Sequence, residues 1–423
     1  MSSVVTSFIC EGVNFNYIKQ SSFKSERVSV SMFVPLEKQN ASKNSVLFFL
    51  LSKSCLKYPD FTSFNKKLSN LYGMVLSSDV GKLGEVQVLT LQADFFDSRY
   101  ALNNESISQE ASELLCETLF KPKFSSKEVF WDDDFAQEKD QLIQLIDSEY
   151  NDKKHYSLIR CFEIMCENEK FSIGRFGSRE DVLAVEKSDI IDSWNSLLSK
   201  ARIEINMTGN SDPKNVLNLF KNNFKNIKRE NIYKCETKIT KKAKEVKYFQ
   251  EKQEINQAKL VMGFRTKFAF PDNFFATIVM NTVFGATSNS KLFLNVREKM
   301  SLCYYCSSYY EKNKGIMVVQ SGIKRENIDK TKEEVLKQFE KMKNGEFTEE
   351  DINTAKLNLK GSLFSIYDSI NRINDFFLVQ SLQEKKYSPE TFFLELKKVN
   401  KSQIIGAAKV VTLDTIYTLV PES

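Results

Sequence analysis

The scarcest reactive side chain in this sequence is histidine, which occurs once, as His155. It follows Asp147-Ser-Glu-Tyr-Asn-Asp-Lys-Lys and has no second imidazole at ligand spacing, so it reads as a structural or solvent-facing residue. Cys303-Tyr-Tyr-Cys306 is a lone Cys-x-x-Cys, compatible with a redox pair or with half of a zinc knuckle. A knuckle needs a second pair, and Cys161 and Cys166 have four residues between them rather than two. Packed thiols are therefore the expectation. Asp132-Asp133-Asp134 could bind a cation, but an acidic run also suits the start of a helix, where it meets the positive end of the dipole. The chain contains no phosphate-binding glycine-rich loop, nucleophile elbow or dinucleotide fingerprint.

The elements that must position these groups fall into two similar halves. Residues 185–191 read Val-Glu-Lys-Ser-Asp-Ile-Ile and residues 399–405 read Val-Asn-Lys-Ser-Gln-Ile-Ile. Each is followed by a short amphipathic segment and a β-rich stretch, Ile203–Met207 in one case and Thr415–Leu419 in the other. This predicts a duplicated unit of about 200 residues. Between the halves, residues 228–247 hold eight Lys/Arg against three Glu, which reads as a solvated basic linker. The expected division is a half at 1–228, a linker at 229–246 and a half at 247–423. In the second half, Ile328, Val335, Leu336, Phe339 and Met342 share a helical face that Asn344-Gly345 stops. Thr348 with Asp351 reads as a capping box opening the next helix. Ala258–Phe264 is strand-like, Phe274–Phe284 reads as a buried helix, and Val86, Val88, Leu89 and Leu91 form a β-rich run. Helices and strands mix without regular alternation, so the fold class is α+β: two duplicated sandwich halves, each a mostly antiparallel sheet with helices packed on it.

The bulk properties narrow the function. Hydrophobic residues at 42% and charged residues at 27% are ordinary for a folded globular chain and argue against long disorder. The net charge is +5, but 60 basic and 55 acidic residues are interspersed, which disfavours nucleic acid as a partner. The longest apolar run, Val46–Leu51, is too short to span a bilayer. No cationic start with an apolar stretch and cleavage site is visible over residues 1–20, and eight cysteines suit a reducing compartment. The expected location is the cytoplasm.

The most specific stretch runs from Ser290 through Lys-Leu-Phe-Leu-Asn-Val-Arg297-Glu-Lys-Met-Ser-Leu-Cys to Tyr304, with an apolar run after Gly315. It resembles the second-half signature of the pitrilysin/insulinase family of zinc peptidases (the inverzincins), in which a helix carrying Leu-Phe and Arg-Glu-Lys leads into Leu-x-Tyr at a strand start. Gln257-Ala258-Lys259-Leu260, Gly345–Ile352, Lys360-Gly361-Ser362 and Thr208-Gly209-Asn210 agree with it. The resemblance covers most of the chain, weakly over residues 1–120. It implies that Arg297 and Tyr304 reach a zinc site in the opposite half or the opposite subunit, offering fixed donors to substrate carbonyls and to the oxyanion that develops there.

The zinc machinery itself is missing. Family catalysis uses His-x-x-Glu-His on a helix plus a distant Glu ligand, and this chain has one His. Counting back from Tyr72-Gly73 puts Val46, Phe49 and Leu50 at the motif positions. The distant ligand, set from Glu138-Lys139, becomes Leu145. No metal or cofactor is expected on this chain, zinc being expected only on a partner, and the former site is expected to be packed as core. The resemblance then implies a subunit inactive alone as a metallopeptidase. Such a subunit would supply Arg297 and Tyr304 to a zinc-motif-bearing homologue and so complete a heterodimeric metalloendopeptidase that takes an extended peptide. The isolated chain could form a homodimer instead. The alternative is a non-catalytic peptide-binding or scaffold protein with the peptidase fold.

Overall fold

The structure is a computed structural model that describes residues 4–103, 105–126, 131–269 and 273–422. It contains two compact units, each built around one sheet.

The first unit takes residues 1–147, 173–236 and 366–388. Its six strands are β1 (Val4–Cys10), β2 (Val13–Lys19), β3 (Ser25–Pro35), β4 (Val75–Leu83), β5 (Val86–Phe96) and β6 (Arg202–Gly209), in the order β1-β2-β6-β3-β5-β4. β2 and β6 are parallel and the other pairs are antiparallel. Alternation along β3 separates its two faces. Val28, Val30, Met32 and Val34 enter the main core, beside Val46 and Leu50 of the helix Lys38–Leu51. On the other face Ser29 bonds Asn374 at 3.2 Å, and Phe33 packs against Leu378. Both partners lie on the helix Ile370–Leu378.

The second unit takes residues 148–172, 237–365 and 389–423. Its strands are β7 (Lys247–Gln253), β8 (Ala258–Arg265), β9 (Cys303–Glu311), β10 (Ile316–Ile323) and β11 (Thr412–Pro421), in the order β7-β11-β8-β10-β9. Again one pair, β7 with β11, is parallel and the rest are antiparallel. If β7, β8, β9, β10 and β11 are set against β2, β3, β4, β5 and β6, the two orders coincide, and β1 is the one addition. The matched segments 185–191 and 399–405 play the same part in each unit. They open the helices Lys187–Lys200 and Lys401–Lys409, which lead into β6 and β11.

Two segments cross the sequence division into 1–228, 229–246 and 247–423. Residues 148–172 precede β6 in sequence, yet their helix Lys153–Met165 packs on β8 and β11. Residues 366–388 follow β10, yet their helix packs on β3 and β6. Gly263 marks the first contact, since a Cβ there would sit 2.7 Å from the Met165 sulfur. Beside it, Arg265 donates to Asp414 at 2.8 Å and to the Met165 carbonyl at 2.8 Å, and lies 2.7 Å from Glu169. The fully buried Lys314 lies 2.6 Å from the other Glu169 oxygen. Burial raises the Glu169 carboxyl, but the Lys314 hydrogen bond and the Arg265 charge outweigh it and hold the group below its ordinary value.

Residues 228–246 contain no helix or strand. Residues 228–236 belong to the first unit, where Arg229 is buried and donates to the Glu11 carbonyl at 2.7 Å, and residues 237–246 belong to the second, where Lys314 donates to the Lys238 carbonyl at 2.5 Å. The expected helix from Phe274 forms over Phe274–Asn281 and continues as a wider π-helical turn over Thr282–Ala286. The helix Ile328–Asn344 ends with Gly345 at φ +75°, and Thr348 with Asp351 caps Glu349–Phe364 reciprocally.

Candidate functional site

Arg297 and Tyr304 stand on consecutive elements at one edge of the second sheet. Arg297 lies in the π-helical segment Leu292–Lys299, whose Leu292 and Val296 are buried. Those two anchors turn Arg297 outward. Its guanidinium sits 4.6 Å from the Phe293 ring centroid, a cation–π contact, with Nη1 3.4 Å from Glu298. Its side chain keeps 41% of its surface exposed. The helix ends as the Met300 N–H donates to the Asn295 carbonyl and the Leu302 N–H to the Val296 carbonyl, each at 3.2 Å. Ser301 turns the chain at φ +51°, and β9 begins at Cys303. A non-glycine residue at positive φ is uncommon, so the turn is held by these two bonds.

Tyr304 follows at once and is 60% exposed. Among the described residues β9 is an edge strand, pairing only with β10 in the sheet order. The register explains its display. Cys306 faces Ser321, Tyr305 faces Gly322 and Cys303 faces Ile323, so Tyr304 is the extra residue of a β-bulge. Bulges re-aim side chains at sheet edges. A cationic fork and a phenol thus project from one helix–turn–strand unit, both open to solvent. They can donate to a carbonyl or an oxyanion, and neither can supply a base or a metal.

The positions read as a former zinc site lie in the first unit. Val46 and Leu50 are buried in its core, on the helix Lys38–Leu51. Phe49, half-buried on the same helix, meets Phe176 edge-on at 6.3 Å. Leu145, on the helix Asp132–Asn151, departs from the expected core packing and is 41% exposed. It shares that helix with the buried Glu138, which pairs with Lys53 at 3.4 Å. Hydrocarbon side chains at these four positions offer a metal no lone pair, so they do not fit a zinc ion and no step is derived through one on this chain. Among the described residues, no group of three or more His, Cys, Asp or Glu could hold a metal ion. His155 lies 4.0 Å from Glu149, with its side chain 46% exposed. Asp132, Asp133 and Asp134 form the first turn of the helix Asp132–Asn151.

The sequence did not disclose the bulge, because a bulge depends on which residues of β10 face β9. The Phe293 ring beneath Arg297 was legible in principle from their four-residue helical spacing.

Comparison with known proteins agrees with this picture. The family profile described as "Peptidase M16 inactive domain" matches residues 184–359. A Bacillus subtilis protein described as "Probable inactive metalloprotease YmfF" is 29% identical over 409 residues, covering 96% of each chain. A second from that organism, "Uncharacterized zinc protease YmxG", is 26% identical over 161 residues, 37% of this chain and 39% of its own length. Among solved structures, a conserved protein from Enterococcus faecalis superposes with a TM-score of 0.90 at 24% identity, over 100% of this chain and 99% of its own. The chain is thus similar over residues 184–359 to the peptidase M16 inactive domain, and over nearly its whole length to a protein described as a probable inactive metalloprotease, in line with the pitrilysin/insulinase resemblance of its Arg297–Tyr304 segment.

Proposed function

We propose that this chain is the non-zinc subunit of a two-chain peptidase, lending Arg297 and Tyr304 to the zinc site of an M16 homologue. The observation that carries this reading is an asymmetry. The positions assigned to zinc ligands and base are hydrocarbon, whereas the guanidinium and phenol project together from adjacent elements. A buried remnant would favour loss of function at both places, whereas Arg297 and Tyr304 are open to solvent. The occurrence in one organism of a relative described as inactive and another described as a zinc protease supports a division of labour.

In that role the partner supplies metal and base, and this chain orients the peptide. Arg297 would hold a backbone carbonyl with two parallel N–H donors, and Tyr304 would donate to the oxygen that becomes negative as water attacks. The open N–H and C=O groups along β9 suit an extended peptide, which could lie beside the strand. Among the described residues no helix is long and apolar enough to cross a membrane. We place the pair in the cytoplasm, in keeping with eight cysteines and no disulfide among the described residues.

The experiment is co-expression with the zinc-motif M16 homologue of the same genome, followed by co-purification and sizing. A stable 1:1 assembly that cleaves extended peptides, where neither chain does so alone, is the expected result. If the two fail to associate, or if the zinc chain alone is as active as the mixture, the scaffold reading replaces this one.

A further inference from the structure

The bulge at Tyr304 does more than expose a phenol. In a regular strand, residues three apart point to opposite faces, so Cys303 and Cys306 would be separated by the sheet. Here Cys303 faces Ile323 and Cys306 faces Ser321, two residues that are themselves only two apart on β10. The extra residue therefore returns both cysteines to one face. Both pack against the same core, Cys306 as a buried member and Cys303 half-buried at its margin. Tyr305 takes the opposite face, where its ring lies over Gly322; a Cβ on that glycine would sit 2.4 Å from the ring. The register thus makes the two thiols neighbours on one face of the strand.

We propose that Cys303 and Cys306 are a reactive dithiol, oxidised by low-molecular-weight disulfides to a disulfide that clamps the Tyr304 bulge. The chemistry differs at the two sulfurs. The Cys306 thiol donates to Cys303, Ser321 is within reach, and the Arg297 charge is near, which together lower Cys303 to about 7 despite its partial burial. Cys306 is raised well above the ordinary thiol range by the same hydrogen bond and by burial. The other half-buried cysteines lack this arrangement: burial raises Cys10, and raises Cys235 to about 11. Near neutral pH the thiolate, which is the attacking species, is therefore concentrated at Cys303.

In the first step the Cys303 thiolate attacks one sulfur of the small disulfide. A Cys303–sulfur bond forms, the small disulfide's S–S bond breaks, and one small thiolate leaves and takes up a proton. Cys306 then loses its proton to solvent and attacks the Cys303 sulfur, expelling the second small thiolate. Two protein thiols are oxidised and one small disulfide is reduced to two thiols. The geometry sets the consequence. Spacing equivalent to two strand residues is about 6.6 Å between Cα atoms, at the upper end of what a disulfide spans. Closing the bond would tie together the residues on either side of the bulge and so restrain Tyr304. Such a bond is reducible and suits reversible control rather than permanent stabilisation.

The proposal stands whether or not this chain has a catalytic partner, and so does its test. The intact chain is treated with oxidised glutathione at pH 7, alkylated, proteolysed and analysed by mass spectrometry. The peptide carrying Cys303 and Cys306 should lose two hydrogens before Cys10 or Cys235 is modified. In Cys306→Ser a glutathione adduct should accumulate on Cys303, and in Cys303→Ser Cys306 should stay unmodified. Equal or faster reaction at Cys10 or Cys235, a lasting glutathione adduct in the unmutated chain, or ready modification of Cys306 in Cys303→Ser would each overturn it.

Discussion

At the scale of single residues, exposure separates the groups that hold the molecule together from those open to solvent. Arg297 and Arg265 show the contrast. Arg265 is buried and saturated by Asp414, Glu169 and a carbonyl, whereas Arg297 has a weak neighbour in Glu298 and an aromatic ring beneath it. Glu169 is the hinge of the buried cluster, because it is the carboxylate that meets both Arg265 and Lys314. Removing one member of a buried charge set leaves its partners uncompensated, at about 3–5 kcal/mol. Glu169→Gln should lower stability by that order in urea unfolding at pH 7. The pH dependence follows from the sign of the shift. The folded value of Glu169 lies below the ordinary 4.5, so its contribution is present above 4.5 and is lost as pH falls through the folded value. The gap between wild type and Glu169→Gln should therefore close as the pH is lowered beneath about 4.5. A gap that stays constant or widens would contradict the ion-pair account.

At the scale of elements, local signals in the sequence were legible wherever their cause is local. The capping box at Thr348 and Asp351 and the glycine stop at Gly345 depend on side chains within four residues, and both are present. Asp351 adds a tertiary contact, 2.6 Å to Lys291 in the strand-ward helical region ahead of Arg297. Thr348→Ala should thus cost about 1 kcal/mol, read in thermal unfolding, while Asp351→Ala should cost more because it also releases Lys291. Equal losses would mean that the Lys291 contact contributes nothing. What was not legible depends on distant pairing. The helix Lys153–Met165 looks like part of the first half along the chain, yet it covers β8 and β11, and Gly263 signals this only once its neighbour is known. The Tyr304 bulge is hidden for the same reason. The core placement expected of Leu145 failed because a lost ligand need not be repacked: Leu145 stays on the exposed side of its helix.

At the scale of the whole molecule, the duplication inferred from two seven-residue matches is expressed as two sheets with the same strand order. The similarity to M16 peptidases was legible from the Arg297–Tyr304 segment because that segment is compact in sequence, and its residues lie on consecutive elements of the fold. The zinc positions are assigned by counting across more distant landmarks, and the hydrocarbon side chains that occupy them lie on the helices Lys38–Leu51 and Asp132–Asn151. The purified chain should therefore carry no stoichiometric zinc by elemental analysis, and added chelator should leave its unfolding temperature unchanged. A full equivalent of zinc would refute the reading of those positions.

The central claim is that this chain completes another subunit's active site. It is tested most directly by measuring kcat for peptide cleavage in the assembly with the zinc-bearing homologue, using Arg297→Ala and Tyr304→Phe. Loss of a donor aimed at a developing oxyanion lowers kcat by about 10²–10³-fold. The account predicts a loss of that order in Tyr304→Phe and a comparable loss in kcat/KM for Arg297→Ala, with assembly and folding intact. Unchanged turnover in both variants would contradict it.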